Sequence, residues 1–255
     1  MIRRKTGHGR LNSQGNISNE YFGKNELVYS EQSLQKYTDE IVKELLKGYQ
    51  PKAGEKILDF GAGTGQLAKI VEEITGISPT CMEIDKQLID MLETRGFLTV
   101  NTFTQLEPST IDFVYSSNVL EHIENDTQTL QDIHTALVPG GTISIFVPAL
   151  PLLYSDFDRK VGHFRRYTRK EIELKLSAAN FQVVELKYFD FIGIFAWLWM
   201  KAFPLHQKNE SEITGLMKIY DSFVFPLSRA LDKCGLSKLA GKNLIVRANK
   251  IDGNN

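Results

Sequence analysis

One glycine-rich run, Gly61-Ala-Gly-Thr-Gly65, constrains the fold of this chain more than any other feature. Residues 56–60 before it, KILDF, are typical of a buried strand, and the amphipathic residues 66–74 after it are typical of a helix. Alternate glycines permit positive φ angles and let a ligand approach the main chain directly before a helix N-terminus. The unit therefore predicts a doubly wound α/β sheet with a nucleotide-like ligand at this turn.

Strand and helix signals alternate along the rest of the chain. Further strands are predicted at residues 79–83, 98–102, 111–116, 142–147, 181–188 and 243–250. Helices are predicted at residues 30–47, 87–94, 126–137 and 168–179. This alternation predicts mostly parallel strands joined by right-handed crossovers. About fifty residues separate the last two strands, too many for a turn, so residues 191–241 are predicted to form a helical insertion or lid over one end of the sheet.

Length and composition suit a single globular enzyme-sized domain. We expect a flexible polar leader over residues 1–20 and one domain over residues 21–255. Lys and Arg number 30 against 31 Asp and Glu, so binding of nucleic acid by bulk charge is not expected. The two cysteines, Cys81 and Cys234, form no metal or disulfide motif, which favours a cytoplasmic location. The apolar residues 191–200 are too few to span a bilayer, which takes about 20.

Charge is distributed unevenly along the chain. Residues 51–150 contain 5 basic and 14 acidic residues, whereas residues 151–250 contain 17 basic and 10 acidic ones. The acidic segment suits a cationic cofactor, and the basic segment suits an anionic substrate or a phosphate-bearing surface. Solvated faces without any partner would give the same asymmetry, so charge alone leaves both interpretations open.

The residues around the glycines restrict the class of ligand that this turn can bind. A dinucleotide fingerprint, G-x-G-x-x-G/A, needs Gly or Ala at its sixth position, but Gln66 stands there, which disfavours a pyrophosphate and hence an NAD oxidoreductase. Glu83 ends the next predicted strand eighteen residues after Gly65, where a carboxylate can accept hydrogen bonds from both hydroxyls of a ribose.

Four segments in order resemble motifs of the class I S-adenosylmethionine-dependent methyltransferases of types 11 and 12. They are ILDFGAGTGQLA (57–68), CMEIDKQLI (81–89), IDFVYSSNVLEHI (111–123) and LVPGGTISIFVP (137–148). The resemblance covers about residues 37–250. It implies a seven-stranded Rossmann-like sheet with an antiparallel last strand, S-adenosyl-L-methionine as cofactor, and S-adenosyl-L-homocysteine as product.

The resemblance also implies which residues contact the cofactor. The turn backbone would hold the methionine part, Glu83 the ribose, a pair after the third strand the adenine, and Asn118 would lie beside the sulfonium. Matching the phase of the family motif makes Asp85 a helix cap, with Asp85 as the alternative ribose ligand. The implied cofactor contacts are Asp59, Gly61, Ala62, Gly63, Gly65, Glu83, Ile84, Thr102, Phe103 and Asn118.

Two histidines are candidate general bases. An oxygen or nitrogen acceptor must lose a proton on methylation, and His122 and His163 are the candidates. Glu121-His122 follows the fourth strand, where relatives that methylate quinone precursors carry a similar run at the substrate mouth, so Glu121 is expected to contact the substrate. No metal is predicted, because Asn118 replaces the carboxylate that would extend a ligand set. A structural role for either histidine is the alternative.

A basic loop follows the fifth strand. Residues 162–168, GHFRRYT, place Arg165, Arg166 and Tyr167 where substrate loops lie in this fold. Similar runs occur in methyltransferases encoded among polysaccharide and lipid-sugar enzymes, which implies an acceptor with a sugar or phosphate part. Alternatively, the arginines form salt bridges with Asp156 and Asp158, and the tyrosine only packs.

The functional hypotheses come from different classes. The leading one is methyl transfer to a small-molecule or glycolipid-type acceptor, at oxygen. A protein or RNA methyltransferase and a non-catalytic S-adenosylmethionine-binding protein are the alternatives. The aromatic residues 191–199 are expected to cover the sheet as core, or else to contact a membrane surface peripherally. Nothing in the sequence sets an oligomeric state.

Overall fold

The fold centres on one twisted sheet. The structure is a computed structural model, and it describes residues 33–202 and 210–251. Its strands are β1 Ile57–Phe60, β2 Thr80–Met82, β3 Thr99–Val100, β4 Ile111–Ser117, β5 Leu137–Pro148, β6 Phe181–Phe189 and β7 Asn243–Lys250. They are ordered β3-β2-β1-β4-β5-β7-β6, and β7 runs antiparallel to both of its neighbours. The predicted doubly wound seven-stranded sheet with an antiparallel last strand is confirmed.

Helices cover both faces of this sheet. They are α1 Gln35–Leu45, α2 Gln66–Thr75, α3 Lys86–Thr94, α4 Asp126–Ala136, α5 Asp156–Val161, α6 Arg169–Ala178, α7 Gly193–Ala202, α8 Glu210–Ile219 and α9 Phe225–Lys233. A π-helical turn, Tyr220–Val224, joins α8 to α9. The predicted leader at residues 1–20 and part of the predicted insertion, residues 203–209, lie outside the described residues.

Strand boundaries differ from the predictions mainly at the sheet edge and in β5. The edge strand β3 is only two residues long, because the Thr102 side chain caps a short 3₁₀ turn at Phe103–Gln105 directly after it. In contrast, β5 begins at Leu137, five residues earlier than predicted, because Leu137 already pairs with Ile111 before a register shift. The sequence pattern could not show this pairing, which depends on the neighbouring strand.

The core has two halves, one on each face of the sheet. Successive residues of β4 point to opposite faces: Phe113 and Tyr115 pack towards α1, whereas Val114 packs towards α4 and α6. On the α1 side, Ile41 and Leu45 are buried against these aromatic rings. Burial of both faces explains why the central strands read as continuous apolar runs.

The segment between β6 and β7 lies at the carboxyl ends of the parallel strands. Phe189 pairs with Asn243, and Asn243 pairs with Pro148 at the end of β5, so residues 190–242 leave and re-enter the sheet at that edge. The buried Asp190 carboxylate ties this segment together by accepting hydrogen bonds from the Tyr220 and Ser228 hydroxyls at 2.6 and 2.8 Å. Within the described ranges, no helix has both the length and the apolar character needed to cross a bilayer.

Candidate active site

Four strand ends converge at one edge of the sheet. Strands β2, β1, β4 and β5 are adjacent and parallel, so the residues that follow them meet there. The glycine turn follows β1, Glu83 follows β2, Asn118 follows β4 and Ala149 follows β5. Ligands of doubly wound sheets bind at this edge, beside the point where strand order reverses. Here the reversal falls between β1 and β4.

The glycine turn adopts the backbone conformation that its composition suggests. Gly61, Gly63 and Gly65 have φ angles of +79°, +56° and +81°, in the left-handed region where other residues are strained. A Cβ atom on Gly61 would lie 2.3 Å from a methyl carbon of Val119, so this turn packs directly against the loop after β4. Ala62, between the glycines, is buried.

Glu83 and Asp85 have separate hydrogen-bonding roles. Glu83 is buried, and its Oε2 accepts a hydrogen bond from the Gly63 amide at 2.9 Å, while Oε1 accepts from the amides of Ile84 and Asp85. Asp85 instead caps α3, because its Oδ1 accepts from the Gln87 and Leu88 amides at 2.9 and 3.1 Å. The predicted helix-cap role of Asp85 agrees with this geometry. Ile84 exposes 69% of its surface.

Asp59 is a buried carboxyl group beneath the turn. Burial raises the pKa of Asp59 to about 7, and the neighbouring Glu83 charge adds to the increase, while interaction with the Tyr115 hydroxyl opposes it. The group therefore changes its charge near neutral pH. A second carboxylate close to Glu83 makes this part of the site attractive to a cation.

The remaining predicted cofactor contacts lie at the surface around the strand ends. Thr102 is exposed and caps the turn that begins with Phe103, whose ring stacks on that of Phe60 at 5.5 Å. Asn118 is exposed and has a φ angle of +55°. Its backbone amide donates to the Phe146 carbonyl at 2.8 Å. Phe103 thus borders the end of β1, Asn118 the end of β4, and Thr102 the end of β3.

Two distant segments bring Glu121, His122 and His163 together. One ligand atom from each lies within 4.8 Å of the others, and the two imidazole rings meet edge to face at 4.6 Å. The Phe164 amide donates to the Glu121 carbonyl at 2.7 Å, which fixes the second segment against the first. Both predicted bases are therefore neighbours, next to the loop that contacts the glycine turn.

Burial controls the charges of this cluster. Glu121 is fully buried, and burial raises its pKa to about 8, although the Arg166 charge opposes the increase. Burial likewise lowers the pKa of His122 to about 3, with a contribution from His163. His122 is consequently a neutral imidazole at pH 7.

Asp158 orients His163, a contact that sequence analysis missed. The His163 Nδ1 atom lies 2.8 Å from Asp158 Oδ1, and Arg166 Nε donates to the same oxygen at 2.9 Å. Burial raises the pKa of Asp158, but the His163 hydrogen bond and the Arg166 charge outweigh it and hold that pKa below its usual value. The only sequence signal is the Ser155-x-x-Asp158 spacing of a capping box, which says nothing about His163.

The other residues of the basic loop have partners inside the protein. Arg166 is buried between Asp158 and the Trp197 ring, whose centroid lies 4.3 Å from the guanidinium carbon. Tyr167 is fully buried and donates to Asp126 at 2.7 Å, and Arg165 forms an ion pair with the same carboxylate at 2.8 Å. For Arg166 this is the salt-bridged structural alternative raised by the sequence, but the partner of Arg165 is Asp126, which the sequence did not suggest.

Comparison with known families decides the class of the protein. A family model described as a methyltransferase domain matches residues 29–186, which is more than half of the chain. The chain belongs to this methyltransferase family. Its fold is that of the class I S-adenosylmethionine-dependent methyltransferases, which the motifs resemble. The left-handed glycines leave bare main chain facing the Glu83 carboxylate, so the residues present fit the S-adenosyl-L-methionine cofactor.

Solved structures show the same fold. Phosphoethanolamine N-methyltransferase 2 of Haemonchus contortus, in complex with S-adenosyl-L-methionine, matches with a TM-score of 0.61 and 15% identity over 93% of this chain and 61% of that chain. This methyltransferase thus spans about three fifths of that enzyme's length. An S-adenosylmethionine-dependent methyltransferase of Archaeoglobus fulgidus matches with a TM-score of 0.58 and 17% identity, over 88% of this chain and 99% of that chain.

Proposed function

We propose that this methyltransferase transfers a methyl group to a hydroxyl oxygen of a small-molecule or glycolipid-type acceptor. The observation that carries the proposal is the Glu121–His122–His163 cluster, in a loop whose Val119 contacts Gly61 of the glycine turn. Groups that can take up a proton thus lie next to the glycine turn, which together with Glu83 we call the cofactor cradle. An acceptor hydroxyl requires such a group, because the proton must leave as the new carbon–oxygen bond forms.

In this proposal the cradle binds the cofactor along the strand ends. The main chain of Gly61, Ala62, Gly63 and Gly65 holds the methionine part above Asp59. Glu83, flanked by Ile84, accepts a hydrogen bond from a ribose hydroxyl at the lone-pair site that the three amides leave open. S-adenosyl-L-methionine supplies the methyl group and leaves as S-adenosyl-L-homocysteine when its carbon–sulfur bond breaks.

At either end of the bound cofactor lie the remaining proposed contacts. Thr102 and Phe103 border the adenine, since the Phe103 ring stacks on Phe60 at the end of β1. Asn118 lies beside the sulfonium, at the end of β4 and next to the cluster. The carboxylates of Asp59 and Glu83 favour a positively charged ligand in the cradle.

The acceptor side is assigned to the cluster. Glu121 faces the acceptor, and His163, oriented by Asp158, takes up the proton of its hydroxyl. His122, whose pKa is lowered by burial to about 3, contacts the acceptor as a neutral imidazole. Arg166 and Tyr167 shape this loop from within rather than touching the acceptor, because both are buried with internal partners. Arg165 is partly exposed, so it remains the residue of this loop that we assign to contact with the acceptor.

The decisive assay is release of S-adenosyl-L-homocysteine from purified full-length protein, with and without candidate acceptors. Hydroxylated sugars, lipid-linked sugars and phenols form one panel, and amines of similar size form the matched panel. Release that depends on a hydroxylated acceptor supports the proposal. Release only with amines would move the chemistry to nitrogen, and tight cofactor binding without release on any acceptor would leave a non-catalytic binding protein.

Exposed aromatic side chains on α7 favour an acceptor at a membrane surface. Phe195 and Trp199 expose 58% and 65% of their surface, and Lys201 follows them on the same helix. Large apolar side chains with a basic neighbour suit peripheral contact with anionic lipid, for a cytoplasmic enzyme that acts on lipid-linked sugars. The other side of the same helix is packed, since the Trp197 indole donates to the Leu153 carbonyl at 2.9 Å.

Vesicle binding tests this surface contact. Trp199→Ser should reduce co-sedimentation with anionic phospholipid vesicles. Leu98→Ser is the matched control, because Leu98 exposes 68% of its surface at the opposite edge of the sheet. Equal vesicle binding by both variants and the unmodified protein would remove the membrane contact from the proposal.

A further inference from the structure

The Glu121 carboxylate is the buried group that points to a further binding site. It is fully buried, and neither oxygen accepts a hydrogen bond from a group in the part of the chain that the structure describes. A buried carboxylate without a partner is costly, so such groups are usually paired, hydrogen-bonded or bound to a metal. Its closest charged neighbours include the Asp158 carboxylate and the Arg166 guanidinium. Arg166 is already paired with Asp158 and forms no ion pair with Glu121.

His163 places a second candidate metal ligand, its Nε2 atom, near the Glu121 carboxylate. Its Nδ1 lies 2.8 Å from Asp158 Oδ1, so Nδ1 carries the hydrogen and donates it. In the neutral ring the lone pair is then on Nε2, which lies 3.9 Å from Glu121 Oε1. Histidines that bind a metal through one ring nitrogen usually donate the N–H of the other nitrogen to a carboxylate, as His163 does to Asp158.

His122 completes a set of three donors. It is adjacent to Glu121 in the chain, and its ring meets that of His163 edge to face. One carboxylate oxygen and one nitrogen from each ring lie within 4.8 Å of one another. Ligands around a single ion are somewhat closer than this, since metal–ligand bonds are about 2.0–2.2 Å. A small inward shift of the three side chains would meet that requirement.

We propose that Glu121, His122 and His163 bind one divalent transition-metal ion, of the Mn²⁺ or Zn²⁺ type. Two imidazoles with one carboxylate suit these ions, whereas Mg²⁺ and Ca²⁺ prefer oxygen ligands alone. The absence of a carboxylate at Asn118, which argued against a metal in the sequence, is offset by His163 from the loop after β5.

This metal site deepens the proposed function. Three protein ligands leave coordination positions open, as catalytic rather than structural sites do. The open side faces the region assigned to the acceptor, where the ion would hold the hydroxyl oxygen and lower the pKa of that hydroxyl. Only this catalytic consequence rests on the proposed methyl transfer, because binding of the ion can be measured without any acceptor.

Calorimetry on full-length protein freed of metal by a chelator tests the proposal. We expect one Mn²⁺ or Zn²⁺ per chain and much weaker binding of Mg²⁺. Glu121→Gln and His163→Gln should each weaken Mn²⁺ binding at least 100-fold, and Asp158→Asn about 10- to 100-fold as the loss of an orienting partner. His134→Gln is the matched control, since this exposed histidine lies at the end of α4 and contacts Ile251.

Folding is checked by circular dichroism and by affinity for S-adenosyl-L-methionine, which all four variants should retain. If a variant fails to fold, anomalous diffraction from Mn²⁺-soaked crystals of the unmodified protein decides instead, with a peak expected among the three side chains. The metal site is refuted if the unmodified protein binds no stoichiometric ion, if the peak lies elsewhere, or if His134→Gln alone removes binding.

The same samples separate this inference from the proposed function. If the unmodified protein binds no ion in the calorimetry and still methylates an acceptor, the metal site is refuted and methyl transfer to that acceptor stands. Stoichiometric binding at the three side chains with no acceptor methylated would support the metal site and count against the acceptor assignment.

Discussion

Replacing Glu83 with alanine should weaken binding of S-adenosyl-L-methionine by a predictable amount. An ionised carboxylate offers about four lone-pair sites. In the structure, three amides already occupy Glu83, those of Gly63, Ile84 and Asp85. About one charged hydrogen bond therefore remains for the ribose, which contributes roughly 1.5–3 kcal/mol. The Glu83→Ala variant should consequently bind the cofactor roughly 10- to 150-fold more weakly.

The neighbouring Asp85 provides a matched control with the opposite result. Its carboxylate caps α3 through the Gln87 and Leu88 amides. Asp85→Ala should therefore lower the free energy of unfolding by about 0.5–2 kcal/mol, the usual effect of losing a cap. Cofactor affinity should remain unchanged.

Isothermal calorimetry and denaturant unfolding on both variants separate the two roles. Because Glu83→Ala also leaves three amides without an acceptor, it is expected to lose some stability as well, so affinity is the deciding measurement. If Asp85→Ala loses cofactor affinity while Glu83→Ala keeps it, the assignment of the ribose ligand is wrong and the motif is displaced by two residues.

Three further predictions concern the turn, the buried acid and the basic loop. Gly63→Val should abolish cofactor binding measured by calorimetry, since it places a branched side chain at a φ of +56° in the cradle. Asp59 has a raised pKa of about 7, so unfolding measurements should show stability falling as pH rises from about 4 to 7. Asp59→Asn should lack this fall and be more stable than the unmodified protein at pH 8, by up to about 4 kcal/mol. Arg165→Ala should lower turnover while leaving cofactor affinity intact, because it removes one of the two contacts, with that of Tyr167, that hold the His163 loop to Asp126.

Much of the fold could be predicted because it depends on local patterns. The glycine turn, the Asp85 cap and the Thr168 cap each specify a turn or helix start within a few residues, and the structure has all three. The parallel direction of the strands followed from the alternation of strands and helices. The position of the predicted cofactor contacts in the fold could be predicted for the same reason, since most of them directly follow strand ends.

The acceptor side could not be predicted to the same degree, because its contacts join residues far apart in the chain. His163 lies forty-one residues after His122, yet the two rings touch. The sequence predicts Arg166 as a substrate contact because two arginines after the fifth strand suit a phosphate or carboxylate, with an ion pair to Asp158 as the alternative. In the structure the ion pair with Asp158 and the Trp197 ring bury Arg166. No local pattern indicates which carboxylate such an arginine meets.

These long-range contacts form a continuous connection from the helical segment after β6 to the candidate catalytic cluster. Trp197 on α7 packs against the Arg166 guanidinium, Arg166 holds Asp158, and Asp158 orients the His163 ring. Each contact in this series is buried or partly buried, so a displacement of α7 would be transmitted to the imidazole rather than absorbed by solvent. Since α7 also carries the exposed Phe195 and Trp199, an acceptor or surface that engages these rings would act on the orientation of His163 through three intermediate side chains, Trp197, Arg166 and Asp158. Vesicle binding and turnover should therefore be coupled in the unmodified protein, and Trp197→Phe, which removes the hydrogen bond to Leu153, should weaken that coupling without removing the exposed surface.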